Sequence, residues 1–196
     1  MAKLNTFLLL LFSINCLLNT AKLGRASRTA ASTDLINSEC RATRYPALCI
    51  QCLSNYSTTI QSQRELAQAA LSVSLSRAQS AASFISKLSR MRGMKRGEYA
   101  AVKDCVENVG SSVDQLNRSM KELGGLHDRD FTWHVSNVQT WVSAALTNEN
   151  TCLYGFSDPS MDGNVKVAIR RRILNCAQVT SNALALVNRF AARHKG

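Results

Sequence analysis

Between Gly97 and Leu123 the chain runs without proline, and Val102, Cys105, Val109, Val113, Leu116, Met120 and Leu123 recur at steps of three and four. That spacing lays apolar side chains along one stripe of an α-helix. Asp104, Glu107, Ser111, Asp114 and Arg118 recur at the same steps about half a turn away, a polar and largely acidic ridge. At ~1.5 Å per residue this helix reaches ~40 Å, which suits one rod of a bundle and not a lone soluble helix. The apolar stripe calls for partner rods, and Cys105 on that stripe is placed for a bridge to one of them.

The partners are legible in order. From Ser62 to Arg90 there is no Gly or Pro and a high density of Ala, Leu and Ser, a long helix with small contact residues. Gly93 and Gly97 turn the chain into the central helix, and Gly124-Gly125 ends it. A third helix is expected from Asp130 to about Thr147, with Phe131, His134, Val138, Trp141 and Ala145 on one stripe and Val135 and Val142 widening it. Asn148 to Gly163 reads as turn chemistry containing Cys152. A fourth helix runs from Asn164 to about Arg193 on Val165, Ile169, Ile173, Cys176, Val179, Ala183, Leu186 and Phe190. No segment alternates with the period of two that a strand needs. The expected fold is all-α: an up-down-up-down four-helix bundle over 62–193, since short links make successive helices antiparallel.

Ahead of the bundle, Asp34 to Cys40 can form two helical turns with Thr33 as N-cap. Pro46 suits the first turn of a second helix, and Tyr45 before it is pushed to an extended shape. Residues 34–56 are therefore expected to be a helical hairpin, with Cys40 and Cys49 on either side of its corner. Residues 27–33 read as a flexible leader. Before them, Lys3 and the apolar run Phe7–Leu18 have the form of a secretory signal, with cleavage after Ala21 or Ala26; residues 1–26 are assigned to it. The run is too short to span a membrane comfortably, and no other segment is apolar enough to anchor the chain.

Export makes disulfides the expected fate of the six cysteines beyond Cys16. Six cysteines allow fifteen pairings, and their spacing alone does not choose one. Bridging Cys40 to Cys49 would lock the corner. Cys105 and Cys152 fall at similar heights in antiparallel neighbours. Cys49-Ile-Gln-Cys52 lacks the βαβ context of a redox pair, and no histidine pair completes a zinc site.

The 24 Lys and Arg outnumber 13 Asp and Glu, and removing Lys3, Lys22 and Arg25 lowers the charge from +11 to +8. The clusters Arg90–Arg96 and Arg170–Arg172 are not interleaved with the aromatics of a nucleic-acid groove, so no nucleic-acid partner is expected. They suit a solvated surface or a loose attraction to acidic polysaccharide. No catalytic motif is present: no GxSxG, HExxH, Walker loop or dinucleotide turn. His127, His134 and His194 have no nucleophile at a recognisable spacing. Glu107 and Asp114 lie ~10 Å apart along a convex ridge, whereas catalytic carboxyls flank a cleft at less than that. No enzyme activity, cofactor or metal is expected. Asn55 and Asn117 begin N-glycosylation sequons.

Cys40 with Tyr45-Pro-Ala-Leu-Cys49, the segment KDCVENVGSSVDQL around Cys105, VQTWVSAALTNENTC ending in Cys152 and QVTSNALALVNRF near the end agree in order over Asp34–Phe190. In this the chain resembles the plant invertase and pectin methylesterase inhibitor family. The resemblance implies a disulfide-stapled bundle with an N-terminal hairpin as one inhibitor domain over 34–196, bridged Cys40–Cys49 and Cys105–Cys152, and secreted to the cell wall (apoplast). Cys52 and Cys176 fall outside the four-cysteine pattern. Invertase inhibitors carry a Pro-Lys-Phe motif before the last helix; here neither Pro46 nor Pro159 begins one, and the wording is closer to the methylesterase-inhibitor branch. That branch implies a reversible one-to-one complex with plant pectin methylesterase that covers its pectin-binding cleft; the alternative is inhibition of acid invertase. Carried over position by position, the target-enzyme interface is Glu107, Ser111, Asp114, Thr151 and Tyr154. Tyr154 is a departure, because many members are acidic there. Weak association with acidic pectin is a further expectation.

Overall fold

The apolar stripe beginning at Val102 becomes one wall of the core in a computed structural model that describes residues 27–126, 130–158, 161 and 163–194. The helices are α1 over residues 27–40, α2 Pro46–Leu53, α3 Gln63–Leu88, α4 Arg96–Gly124, α5 Phe131–Tyr154 and α6 Asn164–Arg193, with a 3-10 turn at Ser54–Tyr56. No strand occurs among the described residues. α4 packs on α3 and α5, and α6 closes the ring against the same two, which gives the expected four-helix bundle; α2 lies over α3 and α6. The secretory-signal assignment, 1–26, lies outside the described residues.

The helix ends follow from local chemistry. Ser62 caps α3: its Oγ accepts from the Glu65 amide at 3.2 Å, and the Glu65 carboxylate reaches back to the Gln61 amide at 2.6 Å. The link 89–95 turns on Gly93, whose φ of 91° favours a residue without Cβ. Arg64 at the start of α3 donates to the carbonyls of Leu123 and Gly124 at 3.1 and 3.0 Å, placing a cation on the exposed end of the α4 dipole.

The core has two apolar clusters. One lies toward the hairpin and includes Leu66, Leu71, Leu116, Leu123, Leu186 and Phe190. The other lies at the far end, with Ile85, Val102, Val109, Phe156, Ile169 and Ile173. Full burial of such a side chain is worth about 1.5–3 kcal/mol. Between the clusters sits a polar layer of Ser74, Ser112, Glu149, Cys176 and Thr180, all buried.

The hairpin is tied down at three points. A disulfide joins Cys40 to Cys49 with Cα atoms 5.5 Å apart. Asn182 of α6 clamps the backbone of Tyr45, accepting from its N–H at 3.1 Å and donating to its carbonyl at 2.9 Å. Glu39, only 3% exposed, accepts from Arg189 Nε at 2.5 Å and from an Arg193 amino group at 2.6 Å. Burial works against ionisation of Glu39, but the hydrogen bonds and charges of Arg189 and Arg193 outweigh it and hold the carboxyl below its ordinary range.

Four sequence expectations are corrected. Residues 27–33 are helical and continuous with 34–40, because Ser32 and Ile36 are buried and tertiary packing overrides the weak helix propensity of a Ser/Thr-containing run. Thr33 is thus no cap; its hydroxyl donates to the Thr29 carbonyl at 2.8 Å inside the helix. The turn expected from Asn148 begins only after Tyr154, so Cys152 is helical. On α5 the buried stripe is Val135, Val138, Val142, Ala145, Glu149 and Cys152; Trp141 is only partly buried, and His134 is half-buried on the flank with Nδ1 2.8 Å from Glu122.

Candidate functional site

The polar ridge of α4 follows from its periodicity. With the apolar stripe turned inward, Asp104, Glu107, Ser111, Asp114 and Arg118 all emerge exposed. Glu107 and Asp114 have no ion pair or side-chain hydrogen bond within the described chain, so their carboxylates face water. Beside them runs the outer face of α5, where Ser136, Thr140, Ser143, Thr147 and Thr151 are exposed. Thr140, Thr147 and Thr151 donate to the carbonyls four residues back at 2.9, 3.0 and 2.9 Å, so their hydroxyl protons are already used. Trp133 and Tyr154, 69% and 74% exposed, stand at opposite ends of α5. In α5 the only Asp, Glu, Lys or Arg is Glu149, which is buried.

A disulfide from Cys105 to Cys152, with Cα atoms 4.5 Å apart, fixes the two helices in register. Glu107, two residues beyond Cys105, therefore shares one end of the bundle with Thr151 and Tyr154, which flank Cys152. Ser111 and Asp114 continue the ridge away from that end. The five positions singled out from sequence are all exposed and all lie on the α4–α5 side. This surface is formed by the outer faces of two packed helices. Among the described residues no group of three or more His, Cys, Asp or Glu side chains is placed to hold a metal ion.

Sequence reading missed what supports this face from within. Glu149 is fully buried, and its Oε1 accepts from Ser112 Oγ at 2.7 Å, Thr180 Oγ1 at 3.0 Å and Cys176 Sγ at 3.2 Å. Ser74 and Thr180 hydroxyls are 2.7 Å apart, so Ser74 donates to Thr180 when Thr180 donates to Glu149. Four helices thus meet through one carboxyl group. Burial pushes the Glu149 carboxyl above its ordinary range, against the lowering effect of its three donors. Burial, then the nearby Glu149, pushes the Cys176 thiol up as well, so this free cysteine is inert. The signal for Glu149 was its place four residues after Ala145 and three before Cys152, which continues the helical stripe.

Cys52, the other free cysteine, is half-buried. Asn55 is exposed on the 3-10 turn, and Asn117 is half-buried on α4. His127 and Pro159 lie outside the described residues.

A family model described as plant invertase/pectin methylesterase inhibitor matches residues 34–186. A carrot (Daucus carota) protein known as "21 kDa protein" is 49% identical over 174 residues, 87% of this chain and 90% of its own length. Pectinesterase inhibitor 9 of Arabidopsis thaliana is 48% identical over 194 residues, 95% of this chain and 94% of its own. A solved mutant form of a pectin methylesterase inhibitor from Arabidopsis superposes with a TM-score of 0.59 at 21% identity, covering 76% of this chain and 92% of that one, a likeness of fold.

Proposed function

We propose that this chain, which belongs to the plant invertase/pectin methylesterase inhibitor family, is a secreted inhibitor of plant pectin methylesterase. The family is one of inhibitors, and the chain is not an enzyme. In this reading the α4–α5 side lies across the enzyme's pectin-binding cleft in a reversible one-to-one complex. It excludes the polymer and leaves the enzyme's catalytic groups untouched.

The observation that carries the reading is the pair of unpartnered carboxylates, Glu107 and Asp114, exposed along α4, with the Cys105–Cys152 bridge fixing the Glu107 end of that ridge to the helix end that carries Thr151 and Tyr154. Unpaired carboxylates on a rigid ridge offer charge-assisted hydrogen bonds to a partner without first breaking bonds at home. A face fixed by helix packing and a disulfide loses little freedom on docking. Tyr154 supplies the exposed aromatic that interfaces favour as an anchor. The names of relatives point to the target: several that align with most of this chain at 44–48% identity are called pectinesterase inhibitors. Residues 1–26 as a secretory signal would route the protein to the wall through the secretory pathway, where the Asn55 and Asn117 sequons meet the glycosylation machinery.

The test is a panel of purified plant pectin methylesterases and acid invertases titrated with the secreted protein. Inhibition of the methylesterases at a stoichiometry of one, competitive with pectin, is the expected result. Inhibition confined to the invertases would transfer the assignment to the other branch of the family.

A further inference from the structure

On the side of the bundle away from α4 and α5 lies an open groove of about 1220 Å³ between α2, α3 and α6. Arg77 reaches it from α3, Arg171 and Arg172 from α6. No Asp or Glu lines it, and none of these three guanidinium groups has a carboxylate partner among the described residues. Arg172 is held with its guanidinium 4.0 Å above the ring of Phe84. Gln51, Asn175 and Gln178 place neutral amides among the cations. The sequence displays only the Arg170–Arg172 cluster; Arg77 of α3 and Gln51 of α2 are brought to it by the fold.

We propose that this groove binds a run of de-esterified uronic acids, that is, an acidic polysaccharide. Arginine forks match carboxylates two bonds at a time, and an Arg that is not neutralised by its own chain keeps that capacity for a ligand. Cations separated by amide side chains suit a polymer that presents one carboxylate per unit with hydroxyls between. The groove exceeds the ~300–1,000 Å³ of a site for one small molecule, and its open form admits a chain passing through. The inference rests on the reading of this protein as a wall-resident inhibitor, and it gives that inhibitor a second hold. One side grips the polymer that the target enzyme produces, the other docks the enzyme, and the tether raises the effective concentration of each near the other.

Cys52 lines the groove as a half-buried free thiol, while Cys176 is buried and the other described cysteines are bridged. Alkylation of Cys52 in the secreted protein therefore reports occupancy. Oligogalacturonate is expected to slow the labelling in a salt-sensitive way, and its fully methyl-esterified counterpart to leave it unchanged. Arg77→Ala with Arg171→Ala should weaken oligogalacturonate binding at least tenfold, and Arg171→Lys should weaken it less. Equal protection by polyglutamate, or binding that survives the double substitution, would overturn the proposal. So would binding seen only after Asn55→Gln, which would mean that a glycan on Asn55, at the groove's edge, occupies it instead. Methylesterase inhibition, measured on the same preparations, should be unaffected by the arginine substitutions. Loss of inhibition with uronate binding intact would bring down the inhibitor assignment alone, and the converse would bring down only the groove.

Discussion

Replacing Glu149 with Gln isolates the effect of one buried charge on the bundle. The variant keeps Oε1 as acceptor for Ser112, Cys176 and Thr180. It places an amide where Oε2 now lies, a buried atom without a hydrogen-bond partner. Relative to the protonated acid the amide adds one more unpaired donor, a cost of about 1–3 kcal/mol. Wild type, in contrast, carries a penalty that depends on pH. In the unfolded chain Glu149 ionises near its ordinary value of 4.5, whereas in the fold burial raises the value. The contribution of the neutral carboxyl to stability is therefore complete below the unfolded value and is lost as pH rises through the folded one. The loss is about 1.4 kcal/mol for each unit between them. Gln has no such slope. In urea unfolding across the acid and neutral range, Glu149→Gln should be the less stable protein in acid, and the gap should close and then reverse as pH rises. All other titrating groups cancel in the difference between the two proteins. A gap that does not change with pH would mean that Glu149 carries its charge inside the fold, and the argument from burial would fail.

Asn182→Ala strands both polar groups of the Tyr45 backbone, at about 1–3 kcal/mol for each that water does not reach, and should speed amide exchange through the hairpin corner. Glu39→Gln removes a carboxylate whose folded value is lowered, so its contribution is present above the ordinary range and lost as pH falls through the folded value. The gap to wild type, about 1–3 kcal/mol at neutral pH, should shrink in acid, the opposite trend to Glu149, in the same urea titration. Replacing Cys105 and Cys152 together with Ser opens a loop of sequence separation 47 and should cost about 4 kcal/mol, read from the unfolding midpoint. Tyr154→Ala should leave that midpoint unchanged and raise the inhibition constant for the target methylesterase about tenfold or more, as loss of an interfacial anchor does.

The parts of the fold written in local pattern were legible in the chain. Val102 to Leu123 fixed α4 and its ridge, Ile169 to Phe190 fixed α6, and Pro46 marked the hairpin corner. What escaped was held by residues far away in sequence. Asn148-Glu149-Asn150 looks like a turn because its polarity is local, whereas the hydroxyls that make Glu149 a core residue come from Ser112 and Thr180 on other helices. Residues 27–33 have the composition of a linker and became helix because Ser32 and Ile36 found a surface to bury against. His134 was assigned to the core by its spacing, but Glu122 and Asn137 gave it a polar place at the rim. The positions of the candidate enzyme face were readable as positions. Their freedom from internal partners was not, since that depends on where every cation of the chain ends up.

The candidate face divides its work between two helices of different character. α4 carries exposed carboxylates, and α5 beside it carries none: its outer face shows serine and threonine hydroxyls, with Thr140, Thr147 and Thr151 bonded to their own backbone, and an aromatic at each end. Charges govern how often two proteins meet in the right orientation, and well-packed neutral contacts govern how long they stay. The encounter rate with a cationic partner would therefore be set by α4 and the lifetime of the complex by α5. The Cys105–Cys152 bridge makes the two helices arrive together.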